Sequence, residues 1–152
     1  MTTGEPGPAM TPRGLDPAKV PGDAGGIRPL IVRPIGRVEN GLPLSARRDT
    51  LREAVSRIVL DPELAPGLEG LEEESRVLVV FQFHLAEEFE LRQHPRGDPS
   101  RPLRGVFALR SPRRPNPIGV TEVDLLEIRG NVLLVRGLDA VDGTPVLDLK
   151  PG

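Results

Sequence analysis

Proline and glycine divide this chain into short segments, and that division constrains its fold more than any other feature. The 152 residues include 18 prolines and 17 glycines. The apolar runs between them are short, as strands usually are, and no stretch supports alternating strands and long helices. The sequence therefore predicts an all-β (mainly β) domain, a small barrel or sandwich with few short helices.

Seven segments are predicted as strands from their apolar residues and flanking turns: 30–32, 55–60, 77–83, 106–109, 119–128, 131–138 and 146–149. The continuous apolar run at 77–83 predicts a central, buried strand. The Gly130-Asn131 turn between two of the others predicts a β-hairpin. Residues 50–58 could instead form a short helix, and another short helix is predicted at 85–91.

The first 29 residues differ from the rest of the chain. They contain six prolines and six glycines and show almost no apolar periodicity. Such a segment cannot bury enough apolar surface to offset the entropy lost on ordering. We therefore predict a disordered tail at 1–29 and a folded domain at 30–152.

Several classes of protein are disfavoured by composition. Without cysteine, the chain has neither disulfides nor thiolate metal sites, and His84 and His94 are not spaced as a metal pair, so no metal is expected. No apolar run approaches the roughly 20 residues of a membrane span, and no signal peptide is recognisable. Glycine-rich nucleotide-binding motifs are also missing. These features predict a cytoplasmic protein without a membrane segment.

Charge is distributed unevenly along a chain whose net charge is −2. Residues 61–74 carry six acidic residues and no basic one, whereas residues 92–114 carry seven arginines and a single acid, Asp98. The arginine-rich stretch could attract phosphate groups even in an acidic protein. A solvated arginine-rich loop explains the same composition.

Two loops carry side chains that suit a polar ligand. In residues 110–119, three prolines fix the backbone, so the Arg, Ser and Asn side chains between them have little entropy left to lose; alternatively, the prolines only protect a strand edge. In residues 139–145, Asp142 or Thr144 could cap a turn, or the loop could face a ligand. His84 and residues 94–98 by themselves indicate no more than a partly buried histidine and an exposed loop.

Four longer motifs permit comparison with a known family. They are Arg-Pro-Ile-Gly-Arg-Val-Glu at 33–39, Phe-Gln-Phe-His at 81–84, Gly-Val-Phe-Ala-Leu-Arg-Ser-Pro with Arg-Pro-Asn-Pro-Ile-Gly within 105–119, and Leu-Asp-Ala-Val-Asp-Gly-Thr-Pro-Val-Leu-Asp-Leu-Lys-Pro at 138–151. Together they resemble the TsaA-like (TrmO, formerly YaeB) family over about residues 30–152. The resemblance implies a β-barrel-like methyltransferase fold, S-adenosylmethionine as cofactor, and a homodimer.

The resemblance also implies a reaction and a set of site residues. The reaction is methylation of the exocyclic nitrogen of threonylcarbamoyl-adenosine beside the tRNA anticodon. A small-molecule or other RNA methyltransferase and a non-catalytic S-adenosylmethionine-binding module are the alternatives. Cofactor contacts carried over by motif are His84, Leu85, Arg110, Val120, Asp142, Gly143, Thr144 and Pro145. Asp142 and Asp139 are the candidate proton acceptors, and the candidate tRNA-binding residues are Arg96, Arg101, Arg104, Arg113, Arg114 and Asn116.

The chain departs from the bacterial family pattern in three places. Residues 44–49 replace the Arg-Gln-Pro-Gly-type segment after the first strand, so the cofactor contact there is not assigned. Residues 94–98 resemble the short archaeal-type members instead of the usual Arg-Pro-Pro-Arg-Leu-Gly-Gly loop. The carboxy-terminal extension of the longer bacterial members is also expected to be absent.

Overall fold

The structure, a computed structural model, describes residues 28–152. The predicted disordered tail lies outside the described residues except at its last two positions. The chain divides into two compact units. One contains Val32–His84 and Ile118–Gly152 and is called the barrel unit below. The other contains Leu85–Pro117, called the loop unit, together with residues 28–31.

Eight strands are present in the described residues: β1 Gly36–Glu39, β2 Val55–Leu60, β3 Arg76–Gln82, β4 Arg92–Gln93, β5 Arg104–Gly105, β6 Ile118–Arg129, β7 Val132–Arg136 and β8 Pro145–Pro151. One α-helix, α1 (Arg48–Glu53), precedes β2. Four 3₁₀ segments occupy Pro62–Leu68, Leu71–Glu73, Pro95–Gly97 and Val106–Ala108. No helix among residues 28–152 combines the length and apolar character that crossing a membrane requires.

Six strands of the barrel unit close into a barrel in the order β1-β2-β7-β6-β3-β8. All neighbouring pairs are antiparallel, and β6 and β7 form a hairpin in which Arg129 faces Val132. Closure leaves no free edge along these strands, so a small sheet is protected from pairing with other chains.

Alternating side chains of the barrel strands form its core. On β3, Val77, Val79 and Phe81 point inward and are buried, and full burial of such a side chain contributes about 1.5–3 kcal/mol. Gly119 on β6 lies opposite Phe81. A Cβ at that position would lie 2.6 Å from the Phe81 ring, so any larger residue there would force this buried ring to move.

The loop unit has little regular structure. Its β4 and β5 pair over two residues each, and few of its residues are buried: Gln93, Pro95 and Val106. The Gln93 amide donates to the carbonyl oxygens of Glu90, at 2.7 Å, and Arg113, at 2.6 Å. Hydrogen bonds therefore hold this segment where an apolar core is lacking.

The all-β prediction is confirmed, and three predicted elements are wrong. Residues 30–32 form no strand; Leu30 and Ile31 are 85% and 79% exposed, and the first strand begins at Gly36. Residues 106–109 contain a 3₁₀ turn, closed by a hydrogen bond from Leu109 N–H to the Val106 carbonyl. Residues 85–91 form no helix, since so short a segment needs tertiary packing to stay helical.

Candidate functional site

The loop between β7 and β8 contains Asp142, whose carboxylate binds another part of the barrel unit. Its Oδ1 accepts hydrogen bonds from the backbone N–H of Asn40, at 2.8 Å, and of Gly41, at 3.3 Å. The Asn40 side-chain amide in turn donates to the Ala140 carbonyl at 3.1 Å. Asp142 thus fixes the chain just after β1, while its Oδ2 accepts no hydrogen bond from the described residues.

The two residues after Asp142 explain why this loop keeps one shape. Gly143 has a φ of 83°, which favours glycine, and its N–H donates to the Val38 carbonyl at 2.7 Å. Thr144 is buried, and its hydroxyl donates to the Val141 carbonyl at 2.7 Å. The predicted turn is therefore present, tied locally by Thr144 and to the barrel by Gly143.

Asp139, the other candidate proton acceptor, has both carboxylate oxygens occupied. Oδ1 accepts from the Thr121 hydroxyl at 2.8 Å, and Oδ2 accepts from Arg48 at 3.0 Å and Arg52 at 3.4 Å. Burial by itself raises the pKa of Asp139, but the hydrogen bonds from Thr121 and Arg48 and the two arginine charges outweigh it and lower the pKa. This carboxylate anchors α1 to the barrel, and its lowered pKa makes it a weaker base.

Two further candidate residues of the barrel unit lie on or beside its central strands. His84 follows β3 by two positions, is half-buried, and makes no side-chain hydrogen bond within the described part of the chain. Val120 lies on β6 opposite Val80 and is 43% exposed on the outer surface. Both side chains are therefore accessible to a ligand.

In the loop unit, the proline-rich segment is rigid for reasons beyond its prolines. The Arg114 guanidinium donates to the carbonyl oxygens of Leu109, at 3.0 Å, and Ser111, at 3.3 Å. Arg113 pairs with Glu90 at 2.7 Å. These two arginines serve the loop itself, so less of their hydrogen-bonding capacity is left for a substrate.

The other arginines of the loop unit are exposed and free of such contacts. Within residues 28–152, the side chains of Arg96, Arg101, Arg104 and Arg110 form no ion pair and no hydrogen bond, although the Arg101 carbonyl oxygen lies 2.7 Å from His94 Nδ1. Two uncharged candidates, Leu85 and Asn116, are exposed as well. The described residues contain no group of acidic or histidine side chains placed to hold a metal ion.

Comparison with known sequences decides the family. The profile described as the tRNA-methyltransferase O N-terminal domain matches residues 37–152. The chain belongs to this family. A probable S-adenosyl-L-methionine-binding protein of Methanothermobacter thermautotrophicus is 45% identical over 125 residues, which cover 79% of this chain and 88% of the relative. The tRNA (adenine(37)-N6)-methyltransferase of Homo sapiens is 37% identical across 96% of this chain and 34% of its own length.

Solved TrmO structures have the same fold. A crystal structure of TrmO is 35% identical in sequence and superposes with a TM-score of 0.66. The superposition covers 82% of this chain and 57% of the TrmO chain. For TrmO from Pseudomonas aeruginosa the TM-score is 0.64 at 32% identity, with 82% of this chain and 56% of that chain covered. This TrmO-family chain therefore spans little more than half the length of the solved TrmO chains.

Several residues that shape the site of this TrmO-family chain were not identified from its sequence. Arg48, Thr121 and Asn40 contact the two candidate aspartates or their loop. Arg48 and Asp139 are 91 positions apart, and no sequence pattern connects them. Only the closed barrel brings these residues together.

Proposed function

We propose that this protein transfers the methyl group of S-adenosylmethionine to N6 of threonylcarbamoyl-adenosine beside the tRNA anticodon. One observation carries the proposal: the similarity to the human tRNA (adenine(37)-N6)-methyltransferase extends over 96% of this chain. The charge distribution agrees, because the exposed arginines of the loop unit suit a polyanionic substrate.

The chemistry of the described residues fits the cofactor. When bound, S-adenosylmethionine supplies a methyl group on a positively charged sulfonium, next to a carboxylate, an ammonium and an adenosine. The free guanidinium of Arg110 suits the carboxylate. In the barrel unit, Asp142 Oδ2 and the backbone of Gly143, Thr144 and Pro145 suit hydroxyl or ammonium donors. His84, Leu85 and Val120 complete the proposed set of contacts.

The protein's main catalytic task is alignment, because methyl transfer from a sulfonium is an in-line displacement. The accepting nitrogen loses a proton as it is methylated, and a nearby acceptor assists that loss. Of the two aspartates, Asp142 is the better candidate, since its Oδ2 accepts no hydrogen bond from the described residues. Asp139 accepts three hydrogen bonds and has a lowered pKa.

Binding of tRNA is assigned mainly to Arg96, Arg101 and Arg104. Their side chains are exposed and form no ion pair within the described residues, so they can bind phosphates without breaking an existing ion pair. Arg113, Arg114 and Asn116 complete the proposed tRNA-binding set, with Arg113 and Arg114 also maintaining the loop.

We also propose that the protein acts as a cytoplasmic homodimer. The outer face of β6 exposes Ile118, Val120 and Leu126 by 40%, 43% and 44%, and a second copy would cover apolar side chains of this kind. Sedimentation equilibrium measures the assembly, and a monomer at micromolar concentration would contradict it.

Mass spectrometry of tRNA nucleosides tests the proposed reaction. A strain lacking the gene should lose the methyl group on threonylcarbamoyl-adenosine and retain the unmethylated nucleoside. Purified protein with S-adenosylmethionine should methylate tRNA from this strain in vitro, and the Asp142→Asn variant should methylate it more slowly. Unchanged nucleosides in the deletion strain would rule out this acceptor.

A non-catalytic S-adenosylmethionine-binding module is the second candidate function. It is favoured by the names of the archaeal relatives, which describe binding and no reaction. Calorimetry separates the possibilities: cofactor binding with no methyl transfer to any tRNA would support the module, and no binding at millimolar cofactor would exclude both functions.

A further inference from the structure

Phe107 is unusual among the aromatic residues of this chain. The sequence has four phenylalanines and no tryptophan or tyrosine. Phe81 is buried and Phe83 and Phe89 are half-buried, whereas Phe107 is 79% exposed. A large apolar ring left in solvent contributes nothing to a core and is available to a partner.

The backbone around Phe107 is held firmly on both sides. Val106 is only 1% exposed, and its N–H donates to the Leu91 carbonyl at 2.8 Å. On the other side, Leu109 N–H donates to the Val106 carbonyl at 3.1 Å, and Arg114 donates to the Leu109 carbonyl at 3.0 Å. The ring is therefore presented on a preorganised turn, which reduces the entropy lost when a partner binds it.

The charges near Phe107 in the sequence indicate the kind of partner. Arg104 precedes Phe107 by three positions and Arg101 by six, and both are exposed without an ion pair in the described part of the chain. Unpaired cations disfavour a purely apolar partner surface, because their desolvation would cost free energy. An exposed ring with free arginines instead matches a nucleic acid, which offers both a base face and phosphates.

We propose that Phe107 is a stacking platform for an unpaired base of the tRNA substrate. The inference rests on the proposed function and extends it, because it assigns base contact to one side chain and leaves phosphate contact to the arginines. Stacking on phenylalanine is tolerant of base identity, since every base has a π-face. Phe107 would then contribute affinity and orientation of the loop and little base selectivity.

The test compares Phe107→Ala with Phe107→Trp in methyl-transfer assays on tRNA. Loss of a stacked base lowers affinity by roughly 5- to 150-fold, so the alanine variant should raise the KM for tRNA by about tenfold. The tryptophan variant should restore it. The Kd for S-adenosylmethionine and the Tm should stay at the wild-type values. Leu103→Ala is the matched control, because Leu103 is an apolar residue of the same unit whose side chain is 45% exposed.

The outcomes are distinct. A wild-type KM in Phe107→Ala, or an equal rise in Leu103→Ala, would overturn the inference while leaving the proposed function intact. A shift of Phe107→Ala from dimer to monomer in sedimentation, at unchanged tRNA affinity, would assign the ring to a contact between two copies and also overturn it. Failure of the wild-type protein to methylate tRNA would overturn the proposed function itself.

Discussion

The barrel unit and the loop unit use arginine in opposite ways. In the barrel unit, six arginines form ion pairs with carboxylates: Arg37, Arg48, Arg52, Arg57, Arg76 and Arg129. In the loop unit, only Arg113 does so within the described residues. The sequence explains part of this difference, because the barrel unit has 15 acidic and 10 basic residues, whereas residues 85–117 have four acidic residues and seven arginines.

This difference separates stability from binding. The barrel unit is held by a closed sheet and a buried core, and seven of its ten basic side chains form ion pairs. The loop unit is held by hydrogen bonds such as those of Gln93 and Arg114, and its remaining arginines stay free. Substitutions in the barrel core should therefore affect unfolding, whereas substitutions of the exposed, unpaired arginines should affect ligand affinity.

Removing a buried side chain from the barrel should produce the largest effect. Leu133 on β7 is fully buried, and Leu→Ala at such sites typically costs about 2–5 kcal/mol of unfolding free energy. Leu103→Ala, in the loop unit and 45% exposed, should change it by less than about 0.5 kcal/mol. Urea denaturation measures both, and equal losses would contradict the division of roles.

The next largest effect is expected for Arg110→Ala, which should weaken cofactor binding and leave the free energy of unfolding unchanged. Loss of a charged hydrogen bond to the cofactor costs about 1.5–3 kcal/mol, which corresponds to a rise of roughly 10- to 150-fold in the Kd for S-adenosylmethionine. Arg101→Ala is the control, because Arg101 is also an exposed arginine of the loop unit. Calorimetry giving the same Kd for both variants would show that Arg110 does not bind the cofactor.

Asp139→Asn should have a smaller effect, and one that depends on pH. The variant loses charged hydrogen bonds to Arg48 and Arg52, so we expect a loss of about 1.5 kcal/mol at pH 7. Because the pKa of Asp139 is lowered on folding, its contribution is present above the unfolded pKa of about 3.9 and declines as pH falls through the folded value. The difference from wild type should therefore shrink below about pH 4.

The smallest effect is expected at an exposed ion pair. Glu127→Gln removes the pair with Arg129, in which both side chains are well exposed. Such pairs contribute about 0–1 kcal/mol, so urea denaturation should scarcely distinguish this variant from wild type. A loss as large as that of Asp139→Asn would mean that surface pairing stabilises the barrel more than this account allows.

Sequence patterns predicted the barrel unit better than the loop unit, for a physical reason. Alternation and long apolar runs at 77–83 and 119–128 reflect burial, and burial governs strands such as β3 and β6. Residues 106–109 are equally apolar, but only Val106 is buried, and a short apolar run does not distinguish a strand from a turn. Where hydrogen bonds and not burial hold a segment, the spacing of its apolar residues says little about its structure.

Sequence patterns also predicted only part of the candidate site. The Asp-Gly pair correctly predicted a turn within 139–145, and Asp142 Oδ2 accepts no hydrogen bond from the described residues. The role of Asp139 was not predictable, because its partners Arg48 and Arg52 lie about 90 positions away, and Arg48 lies in the segment where this chain departs from the family pattern. Contacts over such separations follow from barrel closure, which the sequence does not display.

Salt-dependent tRNA binding tests the contrast between the two units most directly. Each phosphate contact to a single strand contributes about 0.7 to the slope of log affinity against log salt. Replacing Arg96, Arg101 and Arg104 together by alanine should therefore weaken tRNA binding and flatten the slope by about two, with the cofactor Kd unchanged. The matched triple variant of Arg37, Arg57 and Arg129, which are paired in the barrel unit, should retain the wild-type slope. Equal slopes for all three proteins in filter binding would contradict the account.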